Sequence, residues 1–345
     1  MSRERVLVTG ATGFVAKHCI AELLRQGYEV RATLRDVTKA DAVRSAVRRA
    51  YDGPSCFASS IEFVQANLLN DKGWSEAVAG CRFVLHVASP FPLRDPRDRD
   101  ELVAPAREGT LRVLRAASAA GVERLVFTSS MAAICYVAGP VPDRGMTEED
   151  WTDPERPELT SYLISKVLAE RAAWAWSEAE GNGMSVTSIN PGLVMGPALD
   201  DDVSSSLDII RIYTSGRYPA LPPISYPISD VRDVARMHVL AMTNPVADGQ
   251  RWICSNGELT VSELMTIVSE TLPDLKRKIP RFVAPGWMIR LLALHDRNAR
   301  SLVPDLGRRN RLDNSKAREK LGMTFHSAHE AVRAAGLSLR ELGLV

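Results

Sequence analysis

A short apolar run, a glycine turn and an amphipathic stretch open this chain, and together they admit few folds. Arg5-Val6-Leu7-Val8 has the unbroken apolar character of a strand buried on both faces. It leads into Thr9-Gly10-Ala11-Thr12-Gly13-Phe14-Val15-Ala16. From Phe14 to Gln26 apolar and polar residues mix at helical spacing, and Gly27 closes the helix. Gly10 permits a sharp turn, Gly13 lets backbone approach a phosphate with no Cβ in the way, and Ala16 lets the helix sit close to the strand. The helix N-terminus offers unpaired N–H groups and a positive dipole end to anions. This order suits the pyrophosphate of a dinucleotide. Taken alone, it suits an ordinary strand-to-helix turn equally well.

The following segments repeat the alternation. Strands are expected at Glu29–Leu34, Ile61–Gln65, Phe83–Ala88, Arg124–Ser129 and Ser185–Asn190. Helices are expected at about Lys39–Ala50, Asp71–Ala79 with Asp71 as N-cap, Glu101–Ala120 ending at Gly121, and Glu158–Glu180. Asp52–Ser55 and the charged, proline-rich Pro90–Asp100 read as loops. The pattern predicts an α/β fold: a Rossmann-type, doubly wound parallel sheet of these strands and the first, with right-handed crossovers. Beyond Pro191 prolines and glycines thicken and helical patterns shorten. The chain therefore divides into a dinucleotide-binding domain, 1–190, and a mainly substrate-binding lobe, 191–345. Some of its segments, such as Val231–Met242, are expected to pack back on the sheet.

Composition narrows the function. The 345 residues carry 43 basic and 42 acidic side chains, a net charge of +1, which gives no reason to expect nucleic acid or an anionic membrane as partner. No apolar run is long enough to span a bilayer, and Met1–Arg5 leaves no room for a signal peptide. The five cysteines (Cys19, Cys56, Cys81, Cys135, Cys254) are scattered without a Cys-x-x-Cys pair, as expected of reduced, buried thiols in a cytoplasmic protein. No metal site is expected.

Tyr162 and Lys166 stand four apart on the helix after the fifth strand, on one helical face. That strand ends in Thr128-Ser129-Ser130, at the sheet edge where open α/β folds bind ligands. With these pieces in order, the chain resembles an extended short-chain dehydrogenase/reductase of the dihydroflavonol 4-reductase group, which includes cinnamoyl-CoA reductases and aldehyde or ketone reductases. The resemblance rests on Val8–Ala16, Val30–Asp36, Asn67-Leu68-Leu69, Gly80-Cys81, His86–Pro90, Val126–Ser130, Tyr162–Lys166 and Asn190–Pro197. A weaker match follows at Asp230–Val234 and Arg251–Ser255.

The resemblance implies a small-molecule carbonyl substrate, a nicotinamide cofactor and named roles. Tyr162 would be the general acid/base, its phenol lowered by Lys166, which would also hold the ribose hydroxyls. Ser130, at the end of the family's run, would hydrogen-bond the substrate oxygen. Cofactor contacts would come from Gly10, Thr12, Gly13, Phe14, Val15, Arg35, Asn67, Leu68, Val87, Ala88, Ser89, Pro191, Gly192, Leu193 and Val194. Arg35 favours NADP(H) over NAD(H) through the 2′-phosphate, with Lys39 or Arg44 as helpers, while Asp36 beside it blurs that choice. Met131, Tyr136 and Tyr226 would face a mainly hydrophobic aldehyde or ketone, in a monomer or homodimer. His86 is expected to be structural, Trp174 and Trp176 to pack, and Asp200-Asp201-Asp202 to be solvated. The rival enzyme reading is a nucleotide-sugar epimerase or dehydratase with retained NAD, using Arg211, Arg217 or Arg232 for a diphosphate. A non-catalytic dinucleotide sensor is the third reading.

Overall fold

The computed structural model describes residues 4–51, 53, 60–89 and 100–345. The strands are β1 (Arg5–Val8), β2 (Glu29–Leu34), β3 (Glu62–Gln65), β4 (Phe83–His86), β5 (Arg124–Thr128), β6 (Ser185–Pro191), β7 (Leu193–Met195), β8 (Ser225–Asp230), β9 (Arg251–Cys254) and β10 (Glu258–Thr260). The N-terminal helices are α1 (Phe14–Arg25), α2 (Ala40–Ala50), α3 (Trp74–Val78), α4 (Asp100–Ala119) and α5 (Ser161–Glu180). The C-terminal ones are α6 (Ser205–Thr214), α7 (Val231–Thr243), α8 (Val261–Thr271), α9 (Gly286–Leu292), α10 (Arg297–Ser301), α11 (Ser315–Leu321) and α12 (Ala328–Glu341).

A seven-stranded parallel sheet runs in the order β3-β2-β1-β4-β5-β6-β9. Successive residues of its strands feed opposite cores. Val6, Val8, Leu85 and Val126 pack toward one hydrophobic cluster with α1 and α7, whereas Leu7, Val84, Leu125 and Phe127 pack toward the other with α4 and α5. This period-2 division explains the unbroken apolar runs: both faces are covered, so neither series of positions meets water. The fold class is therefore the doubly wound one read from the sequence. A smaller three-stranded sheet, β10-β8-β7, anchors the remaining part of the chain.

Four details differ from the expectation. The parallel sheet has a seventh strand, β9, four residues long, and α7 before it packs against α1. Helix α3 begins at Trp74 behind Gly73, not at Asp71, which pairs instead with Arg112. Helix α5 begins at Ser161 because the Thr160 side chain accepts from Leu163 N and fixes the N-cap there. Asp200 is not a solvated charge: it meets the buried Lys17 ammonium at 2.6 Å and ties α1 to the loop after β7. An ammonium this enclosed needs a counter-charge, but its partner lies far along the chain, out of reach of local pattern reading. The loops expected at Pro90–Asp100 and Asp52–Ser55 lie almost wholly outside the described residues.

Gly192 marks a close crossing of the two sheets. A Cβ there would stand 2.2 Å from the Pro227 carbonyl oxygen, and the Gly192 N–H donates to Ser229 Oγ at 2.8 Å. Gly192→Ala forces β6 and β8 apart and is expected to lower unfolding stability by about 1–3 kcal/mol. Urea denaturation measures this; a variant of unchanged midpoint would contradict the crossing.

Candidate active site

The carboxyl ends of β1 and β4 adjoin at the point where the sheet order reverses, the place where open α/β sheets leave a crevice. Thr9 Oγ1 accepts from Ala88 N at 3.0 Å and shares a hydrogen bond of 2.9 Å with His86 Nδ1. Burial pushes His86 down to about 3, so the ring is neutral and structural, as expected. Gly10 follows at φ +72°, where a Cβ would lie 2.9 Å from that of Ala88. The Gly10 N–H donates to Thr33 Oγ1 at 3.0 Å, holding the turn between β1 and β2.

Gly13 is the N-cap of α1, and no side chain caps the helix. The first-turn N–H groups therefore face outward above an exposed Gly13 and a half-buried Thr12. The Phe14 side chain turns inward, edge-on to His18, with ring centroids 5.4 Å apart. Only its backbone is left for a ligand. A pyrophosphate fits this cradle on two counts: the missing Cβ at Gly10 and Gly13, and the uncapped donors.

At the end of β2 the two charged neighbours separate in role. Asp36 accepts from Thr38 N at 3.0 Å and Thr38 Oγ1 at 2.7 Å, capping a short turn, and these bonds hold its carboxyl below the usual range. Arg35 is exposed, and among the described residues no hydrogen bond or ion pair holds its guanidinium. Arg44 is committed to Asp41 and the Ile61 carbonyl and lies over the Phe63 ring, which makes it a poor helper. Asn67 Oδ1 accepts from Leu69 N at 3.1 Å, leaving its amide N–H group outward.

The three hydroxyls ending β5 also part company. Thr128 lies 2.7 Å from His238 Nε2, and Ser129 donates to Glu170 Oε2 at 2.5 Å; both are spent inside. Ser130 is half-buried; its Oγ accepts from Ala132 N at 3.1 Å and keeps its own proton. Helix α5 packs its first turns on the Met131–Ala133 turn beside it. Tyr162 and Lys166 share that face, both half-buried, with the ammonium 5.9 Å from the phenol ring centre. Burial lowers Lys166 to about 8, with Glu170 opposing that shift. Burial also pushes Tyr162 up to about 12, so in the protein alone desolvation outweighs the lowering expected from Lys166. Beside Lys166 is a cavity of about 20 Å³, lined by His86, Thr110, Ser129, Lys166 and Glu170 among others. That is space for a single water.

Glu170 was missed in the sequence, although its spacing of four from Lys166 places it on the same helical face. Met131 is buried next to Ser130. The Tyr136 phenol donates to buried Asp305 at 2.7 Å, and the Tyr226 phenol also bonds that carboxyl, so both hydroxyls are engaged. Pro191 and Val194 are buried, and Leu193 is half-buried in β7. Trp174 packs on Phe127, and Trp176 is buried. Of the arginines named for a diphosphate, Arg232 is held by Asp230 and Arg211 by Asp208. Cys19, Cys81, Cys135 and Cys254 are free and buried, and no metal-binding cluster occurs among the described residues. No helix among the described residues is long and apolar enough to cross a membrane.

Known proteins resemble this chain in sequence and fold. The family model described as NAD dependent epimerase/dehydratase matches residues 6–254. Cinnamoyl-CoA reductase 1 of Petunia hybrida is 34% identical over 276 residues, 79% of this chain and 79% of its own length. Dihydroflavonol 4-reductase of Hordeum vulgare is 32% identical over 278 residues, 78% of this chain and 75% of its own. The crystal structure of Gre2 from Candida albicans in complex with NADPH superposes with a TM-score of 0.78 at 29% identity, covering 98% of this chain and 99% of that one. The chain thus belongs to the NAD dependent epimerase/dehydratase family and, within it, is an oxidoreductase of the extended short-chain dehydrogenases/reductases, of dihydroflavonol 4-reductase-like type.

Proposed function

We propose that this protein is an NADPH-dependent carbonyl reductase that turns a mainly hydrophobic aldehyde or ketone into an alcohol. One observation carries the reading: Tyr162 and Lys166 share a face of the helix that packs on the turn after Ser130, whose hydroxyl, unlike those of Thr128 and Ser129, is not spent in the core. The NADPH bound to Gre2 and the reductases among the relatives support it. Residues 1–190 would hold the dinucleotide and residues 191–345 mainly the substrate.

The pyrophosphate belongs on Gly10, Thr12, Gly13 and the backbone of Phe14 and Val15. Arg35 is the partner for a 2′-phosphate, since Asp36 is turned to Thr38. Asn67 and Leu68 would flank the adenine, and Val87, Ala88, Ser89 and Pro191 to Val194 the nicotinamide half. When bound, the nicotinamide supplies the hydride. The protein's own groups handle the oxygen. Tyr162, raised to about 12, holds its proton at neutral pH and is ready to give it to the carbonyl oxygen. The Ser130 hydroxyl donates to the same oxygen as negative charge grows there. Lys166 orients ribose hydroxyls and places positive charge near the phenol.

Three outcomes follow. Tyr162→Phe is expected to cut NADPH oxidation by about 100-fold or more while leaving NADPH affinity nearly intact. Turnover surviving that change would overturn the assignment. Lys166 is charged below about 8, so reduction should be full at lower pH and fall as pH rises through that value. A pH–rate profile checks this, and Lys166→Arg, charged throughout, should lose the limb. Arg35→Ser should lower the preference for NADPH over NADH by about 10- to 100-fold, the worth of one charged hydrogen bond. An unchanged ratio of kcat/KM values would remove Arg35 from the cofactor site.

A further inference from the structure

Glu170 is fully buried two turns beyond Tyr162, on the helix face that carries Lys166. Its carboxylate gathers donors from three strands. Oε2 accepts from Ser129 Oγ at 2.5 Å and from Asn190 Nδ2 at 2.8 Å. Oε1 accepts from Ser188 Oγ at 3.0 Å and from Arg251 Nε at 2.8 Å. Asn190 also donates to the Ser130 carbonyl at 3.3 Å. Arg251 reaches on to the carbonyls of Glu148 and Asp150 and lies 3.7 Å over the Trp151 ring. A carboxylate in such a place costs several kcal/mol to desolvate unless fully paired. Core packing alone would be served as well by an apolar side chain. What this pairing holds in place is the strand end that presents Ser130, and it puts a negative charge on the wall of the cavity that Lys166 also lines.

We propose that Glu170, with Arg251 as its counter-charge, is a positioning residue for the reductase: it fixes the Ser130 strand end through Ser129 and Asn190 and keeps Lys166 charged across the small cavity. The inference rests on the reductase reading above. The other groups facing Lys166 leave Glu170 as its charge partner. His86 from β4 is neutral, Tyr162 on the same helix holds its proton, and the β5 and α4 positions on the cavity wall are the hydroxyls Thr128, Ser129 and Thr110. Arg251 bonds the carboxylate but does not line that cavity. Glu170 raises the Lys166 value against burial, so its loss moves that titration to lower pH.

The test uses the full chain with selectively 13C-labelled lysine, and Glu170→Gln beside Glu170→Gln/Arg251→Met. The single change leaves a buried guanidinium unpaired and can cost the fold; the double change removes both charges and keeps the packing. The Lys166 titration is followed by NMR without cofactor, alongside kcat, KM and NADPH affinity. In the folded double variant Lys166 should titrate at lower pH, and kcat should fall by about tenfold or more, the scale of a small misplacement of reacting groups. NADPH affinity should hold within about threefold, since the phosphate cradle is untouched. A folded double variant with an unchanged Lys166 titration and an unchanged kcat overturns the proposal. A Lys166 titration that depends on Glu170 in a protein that oxidises NADPH with no carbonyl would uphold the charge link and sink the reductase reading.

Discussion

One threonine hydroxyl joins the two strands between which the sheet changes its winding. Thr9 Oγ1 receives the Ala88 N–H and is hydrogen-bonded to the His86 ring, so the ends of β1 and β4 are tied together. The crevice between them is the consequence of strand order, because connections leave β1 and β4 toward opposite sides. Gly10 makes the approach possible: at φ +72° and with Ala88 against its Cα, no side chain is tolerated there. The turn from Gly10 to Gly13 takes its position from this junction.

Dryness is the second organising condition. Burial pushes His18, His86 and His238 well below the ordinary imidazole value, to about 4, 3 and 4, and each ring serves as a neutral hydrogen-bonding post. The same burial raises the Tyr162 phenol and lowers the Lys166 ammonium, favouring the uncharged form of both. Glu170 goes the other way. The Arg251 guanidinium, with further side-chain donors led by Ser129 and Asn190, holds its carboxyl below the usual range despite full enclosure. Glu170 opposes the burial that lowers the Lys166 ammonium.

The sheet was legible because covered parallel strands leave runs such as Val6-Leu7-Val8 and Leu125-Val126-Phe127, and because Gly10 and Gly121 punctuate them. The spacing of Tyr162 and Lys166 predicted one helical face, and they do share it. What escaped depends on contacts between distant segments. Strand β9 is no shorter than β1, but its place is decided by its pairing with β6. Asp200 looked solvated until the buried Lys17 claimed it. The bonds of the Tyr136 and Tyr226 phenols to Asp305, a residue from the C-terminal part of the chain, are of the same long-range kind. Glu170 carried a readable signal in its spacing, but its donors come from β5, β6 and β9, and no local pattern unites them.

The most direct test of the central claim is a crystal structure with NADPH and a carbonyl-bearing inhibitor. The account requires the dinucleotide pyrophosphate on Gly10 to Val15 and the inhibitor oxygen about 3 Å from both the Tyr162 hydroxyl and Ser130 Oγ. A dinucleotide bound elsewhere, or a carbonyl oxygen out of reach of Tyr162, would contradict it.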